Sequence, residues 1–397
     1  MSSLSGVRVL VTGGTGFIGG RLVARLAHAC GAHVRVLVRD LRRATQIARY
    51  PVDLFRGDLT DAAVVARAVE TCEIVVHCAV GNQGSDDDRK RVTVGGTEHL
   101  LAAVASAGIR RFVHVSTAAV YGGSTPDSVL TEEFKPRRSG VQYVDSKFEA
   151  EEAVHAAART HGFEAVICQP TIVYGPFART FTTNVVQQLK TGRVILVNGG
   201  AGICNSVYVE DVVTALLLAA TSAVAPGETF LVSGPDTVTW REFYERYQRS
   251  LGLADRLVSM TEAEARSYSE GCRQSRQWLL GEVINEIRTN TAYRERLLTT
   301  CDGSVLARGI RQVFPRFVAA GLKGGRVTKA ARIGGIERSQ SNLAIHPLHP
   351  SRIAAMASRS VVVTSKAQRL LGYRPMYMFH RGMELTESWM RWAGLCL

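Results

Sequence analysis

The sequence predicts an α/β protein built on a doubly wound parallel sheet, with a smaller, partly helical region towards the C-terminus. Three observations support this fold class. Apolar, strand-like runs alternate with helical stretches up to about residue 235. A glycine-rich turn at residues 12–19 joins the first apolar run to an apolar helix. After residue 175 the alternation weakens and helical periodicity becomes the main signal.

Each element follows from its local composition. Six runs of apolar and β-branched residues are predicted as strands: residues 7–11, 33–38, 52–55, 74–77, 112–116 and 165–169. Helices are predicted between them: residues 17–29, 41–49, 62–69, 92–107 and 143–160. Apolar strands with helical crossovers indicate a parallel sheet covered on both faces. Ligands bind such sheets beyond the carboxyl ends of the strands, so the residues after strand ends are the candidates for chemistry.

Length and composition are ordinary for a globular protein with a large core: 397 residues, 46% hydrophobic and 21% charged. No run of about 18 apolar residues is present, so we expect no membrane-spanning helix. The first residues lack the layout of a signal peptide, which predicts a cytoplasmic protein. The eight cysteines are scattered without a C-x-x-C pair, which favours buried free thiols over disulfides or a metal site.

The positive charge is concentrated in the C-terminal part. Residues 1–240 carry 23 Lys+Arg and 22 Asp+Glu, whereas residues 241–397 carry 25 and 13. No aromatic interleaving or nucleic-acid-binding motif accompanies this charge, so we expect no nucleic-acid partner. Residues 303–338 hold eight Lys+Arg and one acid. This basic stretch is open to three interpretations: a solvated face, a phosphate-binding lid, or a membrane-surface contact that meets a lipid-linked substrate.

The glycine-rich turn is a candidate nucleotide site. Gly13, Gly16 and Gly19 lie between the first strand and the first helix. There, backbone N–H groups and a helix N-terminus can bind the pyrophosphate of a dinucleotide. We include three further residues of the turn in this predicted cofactor site: Thr15, Phe17 and Ile18.

Tyr143 and Lys147 form the second motif. They are four residues apart and therefore share one face of a helix. A free phenol has a pKa of about 10, and a nearby ammonium lowers it, which lets the tyrosine exchange a proton while a hydride moves to or from carbon. The alternative is an exposed helical pair with no chemistry.

Together these motifs resemble the extended branch of the short-chain dehydrogenase/reductase superfamily, the NAD-dependent epimerases and dehydratases. The resemblance covers about residues 7–220 and returns in Thr364–Pro375. It rests on further matches in the same order: Gly57-Asp58-Leu59, His77-Cys78-Ala79, Gly96-Thr97, Ser116 to Gly122, and Val173-Tyr174-Gly175-Pro176.

The resemblance implies a Rossmann-type cofactor domain at residues 1–175, with sheet elements continuing to about 235. A substrate-binding region follows at residues 176–397 and includes the basic helical insertion at about 251–345. Helices are predicted there as well, at residues 182–189, 209–220, 366–371 and 380–392. The resemblance also implies a homodimer.

By the same resemblance, Asp58 and Leu59 hold the adenine, Ala79 lines the pyrophosphate and ribose, and Lys147 bonds the nicotinamide ribose. Thr117 is the catalytic hydroxyl beside Tyr143. Ser116 and Pro170 complete the implied cofactor site. Asp58 also fits a simple turn after a strand, and Thr117 also fits a cap at a strand end.

The cofactor is predicted to be NADP or NAD, with NADP favoured. The second strand ends in Arg39, where NAD-using members carry an acid, and Asp40 follows one place late. An arginine at this place can pair with a 2′-phosphate, and Arg42 and Arg43 follow. The alternatives are that Asp40 reaches the ribose, or that these arginines solvate a helix start.

The substrate prediction starts from two departures from the family. Ala118 and Ala119 stand where 4,6-dehydratases carry an Asp-Glu pair, so dehydration by that route is not expected. The stretch 204–209 lacks the arginine that clamps a nucleotide-sugar diphosphate. Asn184 and Tyr174 are the remaining candidates for substrate binding.

Three function hypotheses follow from these residues. The first is an epimerase or oxidoreductase of a nucleotide-linked sugar. The second is an NADP-dependent reductase or dehydrogenase of an apolar, steroid- or flavonoid-like alcohol or ketone. The third is a non-catalytic redox-sensing module, which the complete Thr117, Tyr143 and Lys147 set disfavours.

Overall fold

A computed structural model describes residues 4–122, 129–224, 226–289 and 343–396, apart from the side chains of 276–289. The basic stretch 303–338 lies outside the described residues, and so do the interpretations attached to it. The chain divides into two compact units, one formed by residues 1–265 with 344–397 and the other by residues 266–343. Within the described residues, no helix is both long enough and apolar enough to cross a membrane.

The strands are short and mostly apolar. In chain order, the described strands are β1 Arg8–Thr12, β2 His33–Val38, β3 Val52–Arg56, β4 Ile74–His77, β5 Arg111–Val115, β6 Val129–Leu130, β7 Glu164–Pro170, β8 Ile172–Tyr174, β9 Arg193–Val197, β10 Ile203–Cys204, β11 Ser206–Tyr208, β12 Glu228–Val232, β13 Val238–Thr239, β14 Leu257–Met260, β15 Ile345–His346 and β16 Val361–Val362.

Helices alternate with the strands of the first half and dominate the second. The described α-helices are α1 Phe17–Ala24, α2 Ala62–Val69, α3 Asp86–Lys90, α4 Gly96–Ser106, α5 Gln142–His161, α6 Asn184–Thr191, α7 Val209–Thr221, α8 Trp240–Ser250, α9 Glu262–Thr289, α10 Pro350–Ala357, α11 Ser365–Leu371 and α12 Phe379–Trp392. Short 3-10 turns at Leu41–Ala44, Ala118–Tyr121 and Asn198–Gly200 and π-helical turns at Arg25–Ala29, Arg91–Gly95 and Arg179–Thr183 supplement them.

A seven-stranded parallel sheet organises the fold, in the order β12-β7-β5-β4-β1-β2-β3. The chain builds outwards from β1 to β3 and then crosses to β4 on the other side, so the strand order reverses between β1 and β4. Thr12 at the end of β1 lies beside His77 at the end of β4. This reversal opens a crevice at the carboxyl ends of the strands. The predicted doubly wound parallel sheet is confirmed.

The core lies on both faces of this sheet. Val9 and Val11 of β1 pack into one helical layer, and Leu10 packs into the other. Successive side chains of a strand point to opposite faces, so β1 is apolar on both sides. The seven cysteines of the described ranges are free, and three of them are buried: Cys72, Cys168 and Cys204.

One element prediction is wrong. Residues 41–49 form a 3-10 turn at Leu41–Ala44 and then further turns, not an α-helix. Leu41 is exposed and only Ala44 and Ile47 are buried, so this run has too little apolar surface to hold a helix against the sheet. The described part of the region 251–345 contains the long helix α9 and also the strand β14, which pairs in parallel with β9.

Candidate active site

The glycine-rich loop lies where β1 turns into α1. Gly13 has a φ of +70°, and a Cβ there would come within 2.6 Å of the backbone nitrogen of Ala79. Gly16 is the N-cap of α1 and has no side chain to cover the first N–H groups of the helix. These missing side chains leave a cradle at a helix N-terminus, which fits the pyrophosphate of a dinucleotide.

A cleft extends from this loop along the ends of β1 to β4. Its walls include Thr15 and Gly16 of the loop and Ala79 opposite them. Phe17 and Ile18 begin α1 and are half-buried, and Gly19 is buried against Gly13. All the loop residues that the sequence predicts for the cofactor therefore lie together in or directly behind one cleft.

The far end of the cleft contains Asp58 and Leu59. Asp58 Oδ1 accepts from both the backbone nitrogen and the hydroxyl of Thr60, at 3.0 and 2.9 Å. Asp58 thus shapes the turn after β3 and also lines the cleft. Leu59 is buried, and its carbonyl is 3.0 Å from Nδ1 of His99.

The residues after β2 present two arginines and a paired acid. Arg39 and Arg43 line the cleft, and Arg39 donates to Gln83 Oε1 at 2.9 Å. Asp40 accepts from the backbone and the guanidinium of Arg42 at 3.0–3.1 Å. These hydrogen bonds lower the pKa of Asp40. Asp40 thus lines the cleft together with the two arginines, but both of its carboxylate oxygens are bound to Arg42.

Thr117 and Tyr143 meet beyond the end of β5. Thr117 caps the 3-10 turn at Ala118–Tyr121, and its Oγ1 accepts from Ala119 N at 3.2 Å. Tyr143 lies in the first turn of α5 and is 45% exposed. Crowding by protein atoms raises the pKa of Tyr143, and hydrogen bonding with the Thr117 side chain partly offsets that rise. The phenol is therefore protonated near neutral pH.

Lys147 lies one helical turn below Tyr143 and is only 3% exposed. Its Nζ donates to the carbonyl of Val115, the last residue of β5, at 2.7 Å. Burial lowers the pKa of Lys147 to about 8, although Cys78 and Glu151 act in the opposite direction. The ammonium form thus still predominates at pH 7, held at the end of β5 beside the residues that lead to Thr117.

The other predicted site residues lie around this centre. Ser116 and Pro170, at the ends of β5 and β7, are buried. Asn184 is exposed at the start of α6. Tyr174 is 1% exposed, and its hydroxyl donates to the carbonyl of Phe379 at 3.3 Å. Among the substrate candidates, Asn184 is thus accessible, whereas Tyr174 packs among aromatic rings.

Several residues around the site were missed by sequence reasoning. Gln83 and Asn82 line the cleft wall after β4. Glu151 follows Lys147 by four residues on α5, and its charge raises the pKa of Lys147. That spacing was visible in the sequence, but an acid on a helix face gives no sign that it is buried.

Comparisons with known proteins identify the family to which this chain is similar. The profile of the NAD dependent epimerase/dehydratase family matches residues 9–233. A 4-hydroxy-2-methyl-3-oxo-4-farnesyl-3,4-dihydroquinoline-1-oxide ketoreductase of Stigmatella aurantiaca is 30% identical over 250 residues, covering 62% of this chain and 74% of the relative. A 3 beta-hydroxysteroid dehydrogenase/Delta 5-->4-isomerase of Mycobacterium tuberculosis is 31% identical over 258 residues, covering 59% and 67%.

One further relative and one solved structure complete the comparisons. A dTDP-glucose 4,6-dehydratase of Streptomyces niveus is 31% identical over 269 residues, covering 62% of this chain and 78% of the relative. The structure of a UDP-glucuronic acid 4-epimerase from Bacillus cereus, in complex with UDP-glucuronic acid and NAD, superposes with a TM-score of 0.66 at 17% identity. That superposition covers 98% of this chain and the whole of the epimerase, and it shows a shared fold.

Proposed function

This chain belongs to the NAD-dependent epimerase/dehydratase family, and we propose that it is an oxidoreductase interconverting a secondary alcohol and a ketone on a largely apolar small molecule. One observation carries the proposal: Thr117 hydrogen-bonds Tyr143 beyond the end of β5, and Lys147 beside them acts electrostatically on Cys78, which lines the cleft at the glycine-rich loop. We infer that a proton donor stands beside a site that fits a dinucleotide.

The proposed chemistry assigns one task to each residue. When bound, the nicotinamide cofactor supplies or accepts the hydride. Tyr143 gives its phenolic proton to the carbonyl oxygen during reduction and takes it back during oxidation. The Thr117 hydroxyl holds the same oxygen by a hydrogen bond. The Lys147 ammonium stabilises the phenolate that Tyr143 becomes, because opposite charges at short range favour the ionised phenol.

The substrate class rests on the missing diphosphate arginine and on two relatives. Asn205, in the stretch that lacks this arginine, uses its amide inside the fold: Nδ2 donates to Ser360 O and Oδ1 accepts from Val362 N, both at 2.9 Å. The Stigmatella aurantiaca relative is a ketoreductase of a farnesylated dihydroquinoline oxide, and the Mycobacterium tuberculosis relative is a hydroxysteroid dehydrogenase. Together these features favour an apolar ligand over a nucleotide sugar.

A nucleotide-sugar epimerase is the second candidate. Exposed Asn184 at the start of α6 supports it, because an amide there can bind a sugar phosphate. Dehydration is a third activity within the family, as the Streptomyces niveus relative illustrates. Ala118 and Ala119 follow Thr117 and carry only methyl groups, so we propose that neither supplies the acid or base of a water elimination.

A turnover assay tests this proposal. Purified protein is mixed with NADPH or NADH and with hydrophobic ketones, such as a ketosteroid and a flavanone, in parallel with UDP-glucose and dTDP-glucose. We expect absorbance at 340 nm to fall in step with alcohol formed from a hydrophobic ketone. Conversion of a nucleotide sugar without net cofactor consumption, and no reaction with ketones, would replace the proposal by the epimerase.

We further propose that NADP is preferred, because Arg39 and Arg43 line the cleft and Asp40, which also lines it, has both carboxylate oxygens bound to Arg42. The double variant Arg39→Ala/Arg43→Ala should weaken NADPH binding about 30-fold, which corresponds to about 2 kcal/mol and lies within the range of one charge-assisted hydrogen bond. NADH binding should change less than about threefold on the same reasoning. Titration calorimetry with both nucleotides measures the difference.

The control for this prediction is Arg67→Ala, which removes an exposed arginine of α2. Its NADPH affinity should equal that of the unmodified protein. Equal losses of NADH and NADPH affinity in the double variant would mean that the arginines do not read the 2′-phosphate, and the preference for NADP would then be abandoned.

A further inference from the structure

A buried hydrogen-bond chain lies behind Lys147 and has no role in the chemistry described so far. Tyr121 Oη donates to Gln169 Oε1 at 2.8 Å. Gln169 Nε2 donates to both carboxylate oxygens of Glu151, at 2.9 and 3.1 Å. Tyr121, Gln169 and Glu151 are at most 4% exposed. Burying a carboxylate in this way costs free energy unless a charged or hydrogen-bonding partner compensates for the lost water.

These hydrogen bonds suit an ionised Glu151. An ionised carboxylate only accepts hydrogen bonds, and both of its oxygens accept from Nε2 of Gln169. Oε1 of Gln169 accepts from the Tyr121 hydroxyl, so the three side chains form one chain of donors and acceptors with Glu151 at its inner end.

That charge lies on the catalytic face of α5. Tyr143, Lys147 and Glu151 follow each other at four-residue spacing, so their side chains lie along one side of the helix. Glu151 opposes the effect of burial on Lys147 and helps to keep the ammonium protonated. Burial raises the pKa of Glu151, whereas hydrogen bonds from Ser116 and Gln169 and the charge of Lys147 lower it.

The other titratable groups around Lys147 do not replace Glu151. Cys78 acts on Lys147 in the same direction, but burial raises the pKa of its thiol to about 12. The thiol is therefore neutral at pH 7. His77 and His114 are buried on the neighbouring strands, and Lys147 lowers the pKa of both. Among the described residues whose charge acts on Lys147, Glu151 is thus the one that can supply a negative charge.

We propose that Glu151 is a positioning residue of the Tyr143–Lys147 pair, its buried carboxylate providing the countercharge that holds a protonated Lys147 in the interior. The inference rests on the proposed function, because it assigns Glu151 a role in the proton transfer made by Tyr143. Glu151 touches neither substrate nor cofactor in this role and acts through Lys147.

The central variant is Glu151→Gln, which removes the charge and keeps the shape. Gln169 can turn its amide to donate to Tyr121 and accept from the new amide, since a tyrosine hydroxyl also accepts. Glu151→Asp keeps the charge and weakens the hydrogen bonds. Glu152→Gln removes a charge from the adjacent, exposed position and is the matched control.

The first readout uses cofactor-free protein. The chain has only seven lysines, so NMR of ε-13C-labelled lysine resolves each one, and Lys147→Arg identifies the resonance of interest. We expect the titration midpoint of Lys147 to fall by about one pH unit in Glu151→Gln, the scale of a close charge partner. It should stay near its original value in Glu151→Asp and Glu152→Gln.

The second readout is the pH profile of kcat/KM. The pH at which kcat/KM falls on the alkaline side should be about one unit lower in Glu151→Gln. Above that pH, kcat/KM should be about tenfold lower than in the unmodified protein, with KM unchanged. A Lys147 midpoint that does not move, or an alkaline fall that stays at the same pH while only Tm falls, would make Glu151 purely structural and overturn the inference. If no alcohol or ketone is turned over, the proposed function fails, and the NMR titration still decides whether Glu151 supports Lys147.

Discussion

Replacing Tyr143 by Phe is expected to lower kcat about 10³-fold, within the range that a positioned general acid or base contributes. The substitution deletes one hydroxyl and keeps the ring at the start of α5. Cofactor affinity and Tm should therefore stay close to those of the unmodified protein. The measurement is initial-rate kinetics at 340 nm with whichever ketone or alcohol the turnover assay identifies.

The reason for so large an effect lies in the protonation state of the phenol. Crowding raises the pKa of Tyr143, so the hydroxyl holds its proton near pH 7 and can pass it to a carbonyl oxygen as the hydride arrives. In the proposed mechanism the Lys147 ammonium, with Nζ held 2.7 Å from Val115 O, stabilises the phenolate that remains. Phenylalanine has no proton to give. The alkoxide that the hydride then forms on the substrate has only the Thr117 hydroxyl to stabilise it.

The matched control is Tyr50→Phe, which removes the hydroxyl of a half-buried tyrosine outside the catalytic crevice. Its kcat should not change. Undiminished turnover by Tyr143→Phe would remove the phenol from the mechanism, and another proton donor would have to be sought. A selective rise in KM would instead assign Tyr143 to substrate binding.

Sequence patterns predict the sheet well because its strands are locally distinct. The first six predicted runs correspond to β1 to β5 and β7, since continuous apolar β-branched segments are characteristic of parallel strands covered on both faces. The glycine-rich loop is equally predictable, because a φ of +70° and a backbone approach at Gly13 require a residue without Cβ.

Tertiary pairing explains the elements that the sequence did not reveal. β12 is only five residues long and lies in parallel next to β7, more than fifty positions earlier in the chain. β14 likewise owes its extended form to β9. In both cases the partner lies far away in sequence, so local composition carries little of the signal.

The candidate site was likewise predictable only in part. The spacing of Tyr143 and Lys147 predicts their common face, and the chain topology brings Thr117 to them. The hydrogen-bond partners of individual side chains were not predictable: Asp40 is bound to Arg42, and the amide of Asn205 is bound to β16 and to the residue before it. Such hydrogen bonds depend on which groups the fold brings close together, and spacing along the chain does not encode this.

Acidification from pH 7 to pH 5 is expected to lower the free energy of unfolding by roughly 4 kcal/mol through two buried histidines. His77 and His114 lie side by side on β4 and β5 and are at most 1% exposed. Burial, with Lys147 nearby, lowers the pKa of His77 to about 3 and that of His114 well below its usual value. Urea unfolding followed by circular dichroism at each pH measures the change.

The hydrogen bonds of His77 show why it resists a proton. Thr97 donates its hydroxyl to the carbonyl of Thr93 at 2.5 Å, so its oxygen accepts from Nε2 of His77 at 2.9 Å. Nδ1 therefore has no proton and accepts from the Thr12 hydroxyl at 2.6 Å. Protonating Nδ1 would put two donors face to face until Thr12 turned away. In the described residues His114 has no hydrogen-bond partner for either ring nitrogen.

The sign of the effect follows from these lowered pKa values. Above about pH 6.5 the imidazoles are neutral in both the folded and the unfolded chain, so their contribution does not vary. Below that value the unfolded chain binds protons and the folded chain does not, which costs about 1.4 kcal/mol per pH unit for each histidine. The loss thus begins near pH 6.5 and for His77 continues to about pH 3.

The variant that isolates this effect is His114→Leu, because a buried ring without described partners can be replaced by an apolar side chain of similar volume. Its stability should fall about half as much between pH 7 and pH 5, since one of the two linked protons is gone. His33→Gln removes an exposed histidine and should leave the pH dependence intact.

Glu151 and Asp211, whose pKa values are raised by burial, work against the trend, because they bind protons more readily when the chain is folded. A pH dependence in His114→Leu equal to that of the unmodified protein would show that His114 binds its proton as readily in the folded chain as in the unfolded chain.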